Sequence, residues 1–469
     1  MASCCGITPR MTAPPDLKRT PWSRAVLVLA LIASILMPAC TEGRDGRAPD
    51  RNLLLITMDT TRADALGAYG APEGVTPNLD RLAKRSLLFE RAYATAPFTG
   101  PSHASILTSQ HPSTHGVLYN GHRVDHSLGA GSVTLAEHLS GAGFATAAVV
   151  SAGPLAERYG FARGFESYQH VKQSGHGDNG GAGRYVAETA EQWLLRRPRD
   201  KPFFLWLHFF DPHLPYVNGR GIREALGVTV EGPVTEDSIR GLTSEEAEQC
   251  YRAEAFEMDR FIGRVLKPLE LHDLLDDTVI AVVGDHGEFL LEHGLVGHEG
   301  LRDEVLHVPM LVHARDLDGT ERRTGPVSTI DLLPTVLEML GVPGLPTAEG
   351  RSLVSSEDRR DVAVFAEWRD HELITDDRVP QSGDVQISVQ FGDSKLIRDV
   401  LFPDASLLFD LESDPEEVMN LLGKDDATAR RLGTLLDAHL PGGPAGTDLL
   451  LLDAETIEML RELGYLGGR

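Results

Sequence analysis

Runs of near-continuous apolar residues constrain this chain more than any other feature. They occur at Asn52–Met58, 144–151, Phe203–Phe209, Thr278–Gly284 and 308–314. A strand with one wet face alternates apolar and polar residues. A run without alternation belongs to a strand covered on both faces. Helical patterns lie between the runs. Pro77-Asn78-Leu79-Asp80-Arg81-Leu82-Ala83 opens one, with apolar positions at i, i+3 and i+4; 134–141 suits another; 328–340, stopped by Gly341 and Pro343, is a third. Alternating strands and helices predict an α/β fold built on a doubly wound, mostly parallel sheet. After about Gly350 the texture changes. Segments 361–367, 384–398 and 406–411 predict a small antiparallel sheet whose last strand feeds a helix, with 440–448 a Pro/Gly loop and 454–463 a final helix. The expected organisation is a main α/β domain over 51–350 and a smaller α+β subdomain over 351–469. Segments 175–183 and 219–243, rich in Gly and polar residues, predict loops over the sheet's C-terminal edge.

The first forty residues predict a targeting segment. Arg10, Lys18, Arg19 and Arg24 precede an apolar stretch over 25–37, too short to span a bilayer on ~20 residues. Met37-Pro38-Ala39-Cys40 resembles a bacterial lipobox. Lipidation of Cys40, with 41–50 as a tether, predicts an exported, membrane-anchored lipoprotein of the bacterial cell envelope, facing periplasm or exterior. Cys4 and Cys5 fall in the leader, so Cys250 alone remains in the mature body and no intrachain disulfide can form there. A net charge of −25 without a basic stripe excludes a nucleic-acid partner.

Chemistry-bearing residues gather where strands end. Asp59 closes the first run, in Met58-Asp59-Thr60-Thr61-Arg62-Ala63-Asp64, and Asp285-His286 closes another, in Gly284-Asp285-His286-Gly287-Glu288. Ligands of open α/β sheets sit beyond the carboxyl ends of strands, so Asp59, Asp285 and His286 can converge on one divalent ion. Ca²⁺, Mg²⁺, Mn²⁺ and Zn²⁺ all suit such a set. Thr99 precedes Pro101 at a helix start, where free amides and the helix dipole favour a tetrahedral oxyanion. A metal touching its hydroxyl would make the alkoxide accessible. His103 lies one turn on. His208 and His213 flank the Asp211-Pro212 pair after the Phe203–Phe209 run, and His298 sits in Gly297-His298-Glu299-Gly300. His103, His208, His213 and His298 are candidates for oxyanion binding or leaving-group protonation. Asp211, His213 and His298 are candidates for a second ion.

Taken together these motifs resemble the sulfatase family of the alkaline phosphatase superfamily. The resemblance rests on Asp59 to Asp64, Thr76 to Asp80, Pro101 to Thr108, His115-Gly116-Val117, Asp211-Pro212-His213, Asp285-His286-Gly287 and Asp331 to Thr335. It implies an ester hydrolase acting on an anionic ester with a divalent cation. The chain departs from the family pattern at four points. Thr60 stands where a second Asp is usual. Thr99 stands at the residue oxidised to formylglycine, and a secondary alcohol gives only a ketone, so no formylglycine is expected. His103 replaces an Arg, and Gly143 to Thr146 is not followed by the usual Lys and His. The remaining set of Asp59, Thr99, Asp285 and His286 is similar to the metal-and-threonine centre of phosphodiesterase and phosphoethanolamine-transferase relatives. Sulfate esters, phosphate-type esters, transfer to an envelope lipid or glycan, and an inactive binding scaffold are the readings this leaves.

Overall fold

The computed structural model describes residues 50–120, 127–171, 181–217, 220–317, 319–355, 361–370 and 381–440. The targeting segment, Cys40 and the last expected helix lie outside these ranges. The folded part belongs to one compact unit.

The strands are β1 (Asn52–Met58), β2 (Ser86–Tyr93), β3 (Ala145–Val150), β4 (Ser167–His170), β5 (Phe203–Phe209), β6 (Thr278–Gly284), the short β7 (Phe289–Leu290) and β8 (Val296–Gly297), β9 (His307–His313) and β10 (Glu321–Ser328). Eight of them form the main sheet, in the order β10-β2-β9-β6-β1-β5-β3-β4. β1 lies at its centre, parallel to β5 and β6 on either side. Its residues alternate between two apolar layers. Leu53 and Leu55 enter one, and Leu54, Ile56 and Met58 the other. That is why the run reads as continuous: both faces are covered by helices.

The sheet is α/β and mostly parallel, as expected. β9 is the exception, antiparallel to both β2 and β6. Apolar content marks a strand in either direction, so the sequence could not reveal this. Three other strands escaped the pattern. β10 begins Glu321-Arg322-Arg323 and bonds to β2 alone, an edge strand with a wet side. β2 carries charges at Glu90 and Arg91, and β4 has four partly exposed residues.

The helix expected over 328–340 instead begins at Leu332. Asp331 Oδ2 accepts from the Ser328 amide at 3.2 Å, which ends the strand and turns the chain. Segment 219–243 holds the helices Arg220–Leu226 and Glu236–Ile239, and a 28-residue helix follows, Ser244–Leu271, capped by Thr243 and Glu246. That helix buries Cys250.

The C-terminal sheet is antiparallel, in the order β11 (Ala363–Arg369), β12 (Val385–Phe391), β13 (Ser394–Asp399), β14 (Leu407–Asp410). Segment 384–398 is thus a hairpin, turned at Gly392 with φ 61°. The helix Asp426–His439 packs Leu432 and Leu436 on one face of this sheet, while Val364, Ala366, Trp368 and Phe409 join the core of the main sheet.

Candidate active site

Register alone assembles the site. Met58 pairs with Phe209 on one side and Gly284 on the other, so β1, β5 and β6 end together. The next residues continue the ladder: the Asp59 amide donates to the Phe209 carbonyl at 2.8 Å, and the Asp285 amide to the Met58 carbonyl at 3.2 Å. Asp59, Asp285 and His286 are thereby fixed side by side, each fully buried.

Their free atoms face one another. His286 Nε2 is 3.9 Å from Asp59 Oδ1 and 3.7 Å from Asp285 Oδ2. His208 Nε2 is 3.3 Å from Asp59 Oδ2. Both Asp59 oxygens, Asp285 Oδ2, His208 Nε2 and His286 Nε2 are buried without a hydrogen-bond partner. His286 Nδ1 lies 3.0 Å from the Gly287 carbonyl, which can only accept. The proton is therefore on Nδ1 and a lone pair on Nε2, the arrangement of a metal-ligating histidine. Ser151 gives its hydroxyl hydrogen to the His208 carbonyl at 2.8 Å, so His208 Nδ1 is the donor to Ser151 and its Nε2 also carries a lone pair.

The electrostatics have the same sense. Burial pushes Asp59 up to about 6, against the pull of nearby His213 and of the Thr60 amide and Thr99 hydroxyl, neither of which completes a bond of normal geometry to it. Burial and then the Asp59 charge push Asp285 well above its ordinary range. Burial holds His286 well below its usual value and His208 down at about 3. Three carboxylate oxygens with no donor, both of Asp59 and Oδ2 of Asp285, beside two neutral imidazoles are costly unless a cation lies between them. Edges of 3.3 to 3.9 Å suit ligands around one ion, with bonds of about 2.0–2.6 Å. The residues fit a divalent cation.

Asp285 is held from behind. Its Oδ1 accepts from the Thr60 amide at 3.1 Å and the His286 amide at 2.7 Å. Thr60 has φ 44°, a rare conformation for a β-branched residue, and its hydroxyl is buried without a partner. The Tyr251 hydroxyl, on the 28-residue helix, donates to the Thr60 carbonyl at 2.8 Å and accepts from the Arg62 amide at 2.9 Å. Sequence reading missed Tyr251, which no local motif marks. It also passed over Glu288, which is fully buried, bonded to the Tyr216 hydroxyl at 2.6 Å and raised by burial to about 8. The Asp285-His286-Gly287-Glu288 string was the available signal.

Thr99 begins the helix Thr99–Thr108 and is buried. Fewer helix amides face outward than expected. The Gly100 amide is taken by Asn120 at 2.7 Å, Pro101 has none, and the Ser102 amide bonds to Phe98. His103 does not reach toward an ester. It is fully buried and occupied at both nitrogens: Nδ1 donates to the Thr99 carbonyl at 2.8 Å, and Nε2 meets Thr57 Oγ1 at 3.0 Å. Both bonds tie it to the protein around Thr99, while Asp285 Oδ2 lies 3.5 Å from its Nδ1 and His103, His208 and Asp285 also stand close enough together to hold a metal.

The second set separates. Asp211 turns away from the histidines to the start of the helix Ala182–Arg196, where its Oδ1 accepts from Gly183 at 3.3 Å. Cβ atoms at Gly181 or Gly183 would stand 2.8 and 2.3 Å from its carboxylate oxygens, so a side chain at either position would displace the carboxylate from this seat. Among the described residues Asp211, His213 and His298 do not form a metal-holding group. His298 stays near the centre, its ring 4.6 Å from that of His286 and 5.7 Å from that of His213. Burial lowers it to about 3, which favours the neutral imidazole. His213 stacks on Phe210, and its Nδ1 bonds to the Leu214 carbonyl.

His213 and His298 open onto a cleft of about 500 Å³. Gly294 to Arg302 forms one wall; Trp368, Asp384 and Gln386 of the C-terminal sheet form another. The Glu367 amide donates to the Thr95 carbonyl at 2.9 Å, tying that sheet to the segment leading into Thr99.

The sulfatase family model matches residues 51–342, more than half the chain. The chain belongs to the sulfatase family. Like its fellow members it is an ester hydrolase. An ulvan-active sulfatase of Formosa agariphila is 25% identical over 460 residues, covering 89% of this chain and 86% of the relative. A multifunctional alkaline phosphatase superfamily protein of Trinickia caryophylli is 26% identical, covering 80% and 91%. Among solved structures, the phosphonate monoester hydrolase of Agrobacterium radiobacter superposes with TM-score 0.67 at 20% identity, covering 83% of this chain and 94% of that one. These likenesses place the fold in the alkaline phosphatase superfamily.

Proposed function

We propose that this sulfatase-family protein is an exported, divalent-cation-dependent hydrolase of phosphate- or phosphonate-type esters, with Thr99 as nucleophile. The observation that carries the reading is the buried set of unpartnered Asp59, Asp285 and His286 atoms beside the Thr99 hydroxyl. Asp59, Asp285 and His286, with His208 at their edge, would hold a divalent cation, which would lower the pKa of a hydroxyl beside it and screen the charge of ester oxygens. Thr99 releases its hydroxyl proton to solvent, and Oγ1 forms a bond to phosphorus while the bond to the alcohol oxygen breaks. His213, at the cleft, gives a proton to the leaving oxygen; His298 orients the ester; His103 fixes the Thr99 backbone. Water attacks the phospho-threonine and frees the hydroxyl. The departures at Thr99 and Thr60 favour phosphorus, because a sulfated threonine lacks the elimination route of a formylglycine. The Cys40 lipobox favours a lipoprotein at the envelope.

Sulfate esters are the second reading, favoured by family membership. A relative acts on ulvan, and one solved neighbour was determined with D-glucosamine-2-N,6-O-disulfate. A panel of aryl sulfate, phosphate, phosphodiester and phosphonate esters, run across Ca²⁺, Mg²⁺, Mn²⁺ and Zn²⁺, separates the two. We expect turnover of a phosphorus ester that chelation abolishes and Thr99→Ala lowers by at least ~10³-fold. An unchanged rate in Thr99→Ala would sink the mechanism, and turnover of the aryl sulfate alone would sink the substrate class. Product analysis with an added alcohol shows whether an acceptor competes with water.

A further inference from the structure

A second group of ligand-type side chains lies away from this centre. We propose that His111, Glu367 and His439 form a separate divalent-cation site that ties the C-terminal sheet and helix to the nucleophile-bearing body. Their ligand atoms lie within 4.8 Å of one another. Each comes from a different element. His111 follows the helix Thr99–Thr108, Glu367 is on β11, and His439 ends the helix Asp426–His439.

The group is built and held. Glu367 is 3% exposed, and its carboxylate is fixed by the Ser113 amide on Oε2 and the Ser113 hydroxyl on Oε1, both at 2.8 Å. His439 Nε2 lies 3.0 Å from the same Oε1. Phe365 stacks flat on the His439 ring, with centroids 4.0 Å apart and planes 4° apart. The His111 amide donates to Glu349 at 2.7 Å, which anchors its backbone. The His111 ring stands edge-on to that of His439, with centroids 4.4 Å apart. His111 is 8% exposed, and its Nδ1 is buried with no partner.

A plain ion pair of protonated His439 with Glu367 accounts for less. It leaves His111 Nδ1 unsatisfied and sets a second imidazole against a buried cation. One cation shared by the three groups draws one ligand atom from each and compensates the carboxylate. Two imidazoles and one carboxylate select a first-row ion of the Zn²⁺ type over Ca²⁺ or Mg²⁺. This donor set is richer in nitrogen than the Asp59, Asp285 and His286 group, so Zn²⁺ is the probe.

The test uses the full chain carrying Asp285→Asn, which weakens the first centre. The protein is stripped with chelator, loaded with Zn²⁺, desalted and assayed for bound metal, with its melting temperature followed in parallel. We expect about one retained equivalent and a rise in Tm on loading; adding His439→Gln or His111→Gln lowers retention by about one equivalent and removes the rise. Metal-free Tm of these variants should stay near that of the parent. Should His439→Gln fail to fold, His111→Gln decides. The proposal is overturned by negligible retention in the Asp285→Asn chain, or by undiminished retention in the histidine variants. Because the readout is metal content and not turnover, it stands or falls apart from the ester chemistry.

Discussion

Replacing Thr57 by valine should destabilise the protein more than replacing it by serine, although valine keeps the shape. Thr57, His103 and Trp206 are all fully buried. Trp206 Nε1 donates to Thr57 Oγ1 at 3.0 Å. The Thr57 hydroxyl is 3.0 Å from His103 Nε2 and 3.5 Å from the Leu207 carbonyl, so its hydrogen goes to His103. His103 Nδ1, as donor to the Thr99 carbonyl, leaves Nε2 as the acceptor. One hydroxyl thus satisfies two buried groups. Valine leaves the indole N–H and the imidazole lone pair unpaired, at about 1–3 kcal/mol each, or roughly 2–6 kcal/mol together. Serine keeps both bonds and loses one methyl, about 1 kcal/mol. Urea unfolding of the three proteins, monitored by tryptophan fluorescence, measures the order directly. The valine variant should also turn over at least ~10-fold more slowly, because His103 no longer holds the Thr99 backbone in place. A valine variant as stable as the serine variant would refute the directed chain from Trp206 to Thr99.

Other outcomes follow from neighbouring features. Thr60→Asp sets a third carboxylate beside Asp59 and Asp285, so its Tm in chelator should fall below the parent's and be restored by divalent cation by a larger increment. Asp211 is raised by burial, and next by Glu257, to about 7. A raised folded-state pKa means that its contribution is full below the unfolded value and lost as pH climbs through the folded one. The Tm of Asp211→Asn relative to the parent should therefore become more favourable from about pH 4 to about pH 8, and a flat difference would contradict this. Lys395 is 1% exposed and pairs with Asp303 and with Glu417, the latter at 2.7 Å. Lys395→Met leaves the buried Glu417 and the partly exposed Asp303 without the lysine they share and should cost about 3 kcal/mol in urea unfolding.

The strands that position the site were legible because burial on both faces leaves a one-dimensional trace. β1, β5 and β6 begin and end where their apolar runs do. β10 was hidden because an edge strand tolerates the charges of Glu321, Arg322 and Arg323. At the site, Asp59, Asp285 and His286 could be paired from sequence because each ends a parallel strand. Orientation could not. Whether His103 faces substrate or backbone depends on Thr57, whose role needs the register of β1 against β5. Asp211 sits two residues from His213, yet its partner is Gly183, reached through the packing of another helix. Tyr251 arrives from the long helix that the run of polar residues before it concealed.

The cleft has two owners. The groups suited to activating and orienting an ester sit on the main sheet and the loops at its edge, while part of the wall that an alcohol would meet comes from β11 and β12, more than seventy residues beyond Asp285 and His286. The contact between Glu367 and Thr95 is made by backbone, so it survives changes of side chain on that wall. A half-buried residue such as Gln386 can therefore vary without disturbing the geometry around Asp59. A chain organised this way can exchange one leaving group for another by editing its last quarter, leaving the reaction centre untouched.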